Sequence, residues 1–183
     1  MTEWLTPGVD PLLVWIPTAC LALLLAHASL GKLLDRWLWL QQLSAYRLPD
    51  AALTPLGWLL PLAEGALALG LLSPLRPWAA AGAALLLLMY AIAMAWQLAR
   101  GHRPDCGCGG APLSVSPLLV LRNILLLPLA ALAALPAQGR PLQATDGAVL
   151  MAALLLATVL WSAAHQLLRA QQPPVPRPFG MAP

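Results

Sequence analysis

The amino-acid sequence predicts an all-α integral membrane protein, a bundle of about five transmembrane helices. Three observations carry this. Of 183 residues, 60% are hydrophobic and only 9% charged, whereas a soluble domain holds about a quarter charged residues to face water. Mean hydropathy is +0.75, and a chain this short has no core large enough to hide so much apolar surface. The apolar residues are gathered into five stretches, each close to the roughly 20 residues that cross a hydrocarbon core.

The first stretch runs from Leu12 to Leu34 and is free of formal charge until Lys32. Ala26-His27-Ala28 resembles a small-residue cleavage site, but Glu3 and Asp10 precede the apolar run and no Lys or Arg does. Signal peptides begin with positive charge, so this run reads as a retained helix. Arg36-Trp37-Leu38-Trp39-Leu40 and Tyr46-Arg47 follow. Trp and Tyr favour the headgroup level, so the segment reads as a short interfacial helix, with an extension of the first span as the alternative. The second stretch is Leu53 to Leu72 with Glu64 inside it, and the third, Trp78 to Ala99, is uncharged. The fourth is Pro117 to Leu135 with Arg122 and Asn123 near its start, and the fifth, Gly147 to Leu168, carries only His165. Leu, Ala and Met dominate throughout without strand-like alternation, which argues against a β-barrel. Pro17, Pro61 and Pro128 lie inside spans, where membrane bundles tolerate proline. Residues 1–170 read as one transmembrane domain, and the Pro-rich tail 171–183 as disordered.

Loop charge gives an orientation. Lys32, Arg36, Arg47, Arg100, Arg103, Arg169 and Arg177 fall on one side, Arg76 and Arg140 on the other. Positive charge prefers the cytoplasm, so the N-terminus is expected outside and the loop from Arg100 to Ser116 inside. The net charge of +3 fits loops facing anionic lipid. No interleaved basic and aromatic stretch suggests nucleic acid, and no P-loop, Gly-x-Ser-x-Gly or two-histidine metal helix suggests a conventional enzyme.

Two places carry candidate chemistry. The loop Gly101-His102-Arg103-Pro104-Asp105-Cys106-Gly107-Cys108-Gly109-Gly110 holds two cysteines one residue apart. Adjacent thiols can exchange disulfides through a mixed intermediate, and a disulfide across one residue closes a strained, easily reduced ring. His102 and Arg103 would favour a thiolate and Asp105 oppose it. A second reading makes His102, Asp105, Cys106 and Cys108 ligands of a soft metal such as copper, although usual sites space their cysteines more widely. A third leaves the loop as an inert glycine-rich turn, on a protein serving as an export or assembly scaffold. Cys20, alone in the first span, reads as a small buried residue. No cofactor site and no metal site is expected.

Glu64 is the other anomaly, about 11 residues or roughly 16 Å into its span. A carboxylate at that depth is costly and faces the bundle interior with a partner. Lys32 and Arg122 approach from the same side, so Glu64 is expected to pair with one or both, with Asn123 a further intramembrane polar group. His27 lies at a depth where it could hydrogen-bond to Glu64. A structural pair is preferred to a proton relay or substrate site. His27 and His165 otherwise read as packing residues.

The residues also resemble a known family. Gly31-Lys32-Leu33-Leu34-Asp35, Ala45-Tyr46-Arg47-Leu48-Pro49, Pro61-Leu62-Ala63-Glu64, Asp105-Cys106-Gly107-Cys108-Gly109-Gly110 and Leu121-Arg122-Asn123 occur in order along the chain. Together they resemble the MauE family of methylamine utilisation membrane proteins, within the DoxX-like group. Gly109 departs from the pattern, standing where that family carries an aromatic residue. The resemblance implies a four-helix core plus one span in the bacterial inner membrane. It implies processing, transport or maturation of the small (β) subunit of methylamine dehydrogenase, a periplasmic disulfide-rich protein, with a thioredoxin-like MauD-type partner. Cys106 and Cys108 would then be the exchanging pair. The charge bias places that pair on the cytoplasmic face, while the implied partner is periplasmic.

Overall fold

The computed structural model describes residues 9–46, 48–102, 114–137, 140 and 143–170. They form six helices: α1 (Pro11–Leu34), α2 (Arg36–Ser44), α3 (Asp50–Leu71), α4 (Arg76–Ala99), α5 (Pro117–Ala134) and α6 (Ala144–Ala170). All except α2 are long and apolar enough to cross a bilayer. The protein is a multi-pass membrane protein, with five such spans among the described residues. α3 and α6 each begin three residues before the expected apolar stretch, whereas α5 begins at it, with Pro117.

Local chemistry sets the boundaries. Asp10 caps α1 by accepting from the Leu12 N–H at 2.8 Å, and Pro11 supplies the preset first turn. Asp35 serves two helices. Its N–H donates to the Gly31 carbonyl at 3.2 Å to close α1, and its carboxylate accepts from the Leu38 N–H at 3.1 Å to open α2. The aromatic segment after the first span is therefore a separate nine-residue helix and not a continuation of α1. At the end of α4, Gly101 adopts φ 73°. Its N–H reaches the Leu98 carbonyl at 2.9 Å, and the His102 N–H reaches Gln97 at 3.0 Å. This left-handed glycine cap satisfies carbonyls that the helix end leaves open. At the start of α6, the Asp146 carboxylate reaches back to the Gln143 N–H at 2.9 Å.

Proline and small residues shape the packing. Pro61 has no N–H to give the Gly57 carbonyl one turn earlier. The Trp39 indole N–H of α2 donates to that carbonyl at 3.2 Å, so a flaw in α3 becomes the docking point for α2. The core between α1, α3, α4 and α5 is built from Leu21, Leu25, Leu71 and Leu87 with Ala68, Ala80, Ala83, Ala130 and Ala133. Alanine and glycine let helix axes approach where lipid provides no hydrophobic drive. At Gly70 an added Cβ would lie 2.9 Å from the Ala79 Cβ, which fixes the close approach of α3 and α4. Large apolar side chains such as Leu69, Leu85, Leu125, Leu155 and Leu160 point outward and stay exposed, the inverse of a soluble core. α6 packs mainly on α1, and its apolar window has no buried residue.

At the end of the bundle where α1 begins, Arg140 bonds both Asp10 and Asp146, the latter at 2.8 Å. The Val9 N–H donates to the Pro136 carbonyl at 3.3 Å. These contacts tie the start of α1 to the α5–α6 connection. The Leu12 N–H and then the Arg140 guanidinium hold the Asp10 carboxyl below its ordinary value, and the two carboxylates hold Arg140 firmly charged.

Candidate functional site

The α1–α3 interface concentrates polar groups within one helical turn. Ser29 Oγ donates to the Pro61 carbonyl at 2.8 Å. Three residues further along each helix, Lys32 pairs with Glu64. Residues three apart share a helix face, so the two contacts stack. Gly65 makes room, since a Cβ there would lie 3.1 Å from Ser29 Oγ. Both members of the ion pair are sealed from solvent, Lys32 at 4% exposure and Glu64 at 1%.

Tyr90 of α4 completes the centre. Its hydroxyl donates to Glu64 Oε1 at 2.7 Å, and the Lys32 ammonium lies 3.4 Å from the same hydroxyl. The ammonium also sits 5.0 Å from the centre of the Trp39 ring and 5.2 Å from that of Tyr90. Aromatic faces stabilise a desolvated cation, so the ring walls offset part of the cost of burying it. One atom is left over. Glu64 Oε2 is buried and has no hydrogen-bond partner among the described residues.

A cavity of about 730 Å³ adjoins this centre. Its polar wall holds Lys32, Glu64, Tyr90, Gln97, Arg122 and Asn123, with Arg100 and His102 where α4 ends. Among the described residues, three formal cations thus line the cavity with one carboxylate, and the remaining wall is mostly apolar. Gln97 donates to the Tyr46 carbonyl at 3.3 Å and Asn123 to Leu119 at 3.0 Å.

Of the two cations expected near Glu64, Lys32 is the one paired with it. The Arg122 guanidinium instead lies 4.7 Å from the centre of the Trp161 ring of α6. His27 is exposed and lines a different cavity, of about 390 Å³, together with Cys20 and Trp161. It does not join the centre at Glu64. Cys106 and Cys108, with Arg103 and Asp105, lie outside the described residues, as does the tail 171–183. Sequence reasoning passed over Tyr90, Ser29 and the indole of Trp39. Tyr90 did leave a signal: a tyrosine midway along an uncharged span is far from the interface where tyrosine is favoured.

The family model for methylamine utilisation protein MauE matches residues 10–136. The chain is 39% identical over 166 residues to a protein of Paracoccus denitrificans named methylamine utilization protein MauE, covering 87% of this chain and 89% of that one. It is 30% identical over 162 residues to a protein of the same name from Methylophilus methylotrophus, covering 85% of each. No solved structure matches it.

Proposed function

The chain belongs to the MauE family of methylamine utilisation proteins, and from that membership we propose that it serves the maturation, processing or transport of the methylamine dehydrogenase β subunit from the bacterial inner membrane. The observation that carries this reading is the similarity sustained over most of the chain to proteins named for methylamine utilisation. The chemistry assigned to it is thiol–disulfide exchange at Cys106 and Cys108 with a thioredoxin-like partner.

The motif supports that chemistry. A Cys106–Cys108 disulfide, strained by its one-residue spacing, is open to attack by a partner thiolate. The attack forms a mixed disulfide, and the partner's second thiol resolves it. Two electrons and two protons then rest on Cys106 and Cys108, and the partner carries the new disulfide. A partner in this state can supply disulfides to a protein folding in an oxidising compartment.

The test replaces Cys106→Ser and Cys108→Ser singly in a host that grows on methylamine. Loss of mature β subunit, with normal levels of the membrane protein, is the expected result. Undiminished β subunit in both single variants overturns the exchange reading. A membrane-impermeant thiol reagent applied to intact cells reports which face Cys108 occupies, and thereby separates the charge-based orientation from a periplasmic thiol pair.

A further inference from the structure

We propose that the 730 Å³ cavity beside Lys32, Glu64 and Tyr90 binds a membrane quinone, the two-electron acceptor for the thiol pair; the choice of ligand rests on the exchange reading above.

Access and size come first. Leu85, Leu88, Met89 and Ile92 of α4 line the cavity and are themselves exposed. On a transmembrane helix that exposure faces hydrocarbon, so the entrance admits a lipid-soluble molecule sideways from the bilayer. Pockets of about 300–1,000 Å³ with apolar walls and a few placed polar groups are those that hold small organic ligands.

The polar wall narrows the chemistry. Glu64 Oε2 is a buried acceptor without a donor, and such an atom is costly unless a ligand supplies one. The phosphodiester of a lipid headgroup offers only acceptors and would meet that oxygen with repulsion. A hydroquinone offers an O–H. The oxidised quinone needs donors for its carbonyls, and the wall has them. The amides of Gln97 and Asn123 each carry two N–H bonds, of which the described contacts use one. The Lys32 ammonium and the Arg122 guanidinium add further N–H groups to the same wall.

The thiols are the matching electron source. His102 lines the cavity, and Cys106 follows it by four residues, a covalent reach of at most about 14 Å. A disulfide that is readily reduced needs a stronger oxidant than an ordinary protein disulfide to re-form it, and bacterial envelopes drain such electrons into quinone. The step balances. The S–H bonds of Cys106 and Cys108 break and an S–S bond forms between them. Two electrons and two protons pass to the quinone, whose carbonyl oxygens become O–H groups.

The full chain, purified in detergent, is titrated with decylubiquinone while tryptophan fluorescence is followed, because Trp39, Trp96 and Trp161 line the cavity. Saturable quenching is expected, weakened at least tenfold by Ala93→Phe, which puts a ring into the cavity, and unchanged by Ala157→Phe in the smaller cavity. Organic extraction of the native protein should recover about one quinone per chain. Quenching that never saturates, or extraction without quinone, overturns the site whatever the variants do. Anaerobic mixing of reduced protein with decylubiquinone should yield one quinol per chain, and none with Cys106→Ser. Saturable binding without quinol formation overturns the thiol chemistry alone. Failed binding, alongside β-subunit loss in the cysteine variants, overturns the cavity assignment alone.

Discussion

Lys32 and Glu64, 32 residues apart in sequence, form an ion pair sealed between α1 and α3. The pair joins the two helices and contributes to the polar wall of the cavity.

Removing one partner should be worse than removing both. Breaking a buried pair leaves an uncompensated charge, at a cost of about 3–5 kcal/mol, whereas apolar replacement of both partners is often neutral. Lys32→Met and Glu64→Leu should each lower detergent-resistant thermal stability sharply, and the double variant should recover most of it. A double variant no more stable than either single one would refute the pairing.

The Trp39–Gly57 hydrogen bond should depend on Pro61. In the native chain Trp39→Phe strips the Gly57 carbonyl of its indole donor, a loss of about 1 kcal/mol. Pro61→Ala returns the helical N–H to that carbonyl. The cost of Trp39→Phe should therefore fall in the Pro61→Ala background. Equal costs in both backgrounds, measured by a double-mutant cycle on chemical unfolding, would show that the carbonyl does not link the two sites.

Small-residue contacts should separate two glycine-to-alanine changes. Gly70→Ala places a methyl 2.9 Å from the Ala79 Cβ, itself fixed to backbone, and overpacking of that kind costs about 1–3 kcal/mol. Gly147→Ala meets nothing within 4 Å, and should stabilise α6 by up to about 1 kcal/mol through helix propensity. Melting temperatures in one detergent should move in opposite directions.

The contact between Asp10 and Arg140 should give an acid-side loss of stability. The Leu12 N–H first and Arg140 second depress the folded pKa of Asp10 below its ordinary 3.8, and Arg140 likewise depresses that of Asp146. The bonds from Arg140 to the two carboxylates therefore contribute fully above that value, and the contribution disappears as pH falls through the folded pKa values. Arg140→Gln should be less stable than the native chain at pH 6 and lose less on acidification to pH 3. Parallel curves for the two proteins would rule out this contact as the source.

The spans were legible because lipid imposes a one-dimensional rule: length and lack of charge suffice to mark Leu12–Leu34 or Trp78–Ala99. The partnership of Lys32 was legible in outline, since a deep carboxylate demands a partner and only two cations entered from its side. The choice between Lys32 and Arg122 was not, because it depends on which helix faces turn inward, and spans of Leu and Ala carry little periodicity to show that. Tyr90 joins through the packing of α4 beside α3, a relation without local trace. The separate helix α2 was legible from tryptophans that favour the headgroup level, and Asp35, which closes α1 and caps α2, supplies the break.

The left-handed glycine closing α4 has a kinetic consequence. With the carbonyls of Gln97 and Leu98 holding the N–H groups of His102 and Gly101, the thiol segment starts from an anchored point and is tethered by only four residues. A short tether raises the effective concentration of a reactive group to millimolar or more. Electron transfer between the thiols and a molecule in the neighbouring cavity should then follow first-order kinetics, at a rate unchanged by diluting the protein; a rate that fell in proportion to dilution would mean the thiols of one molecule reach the cavity of another.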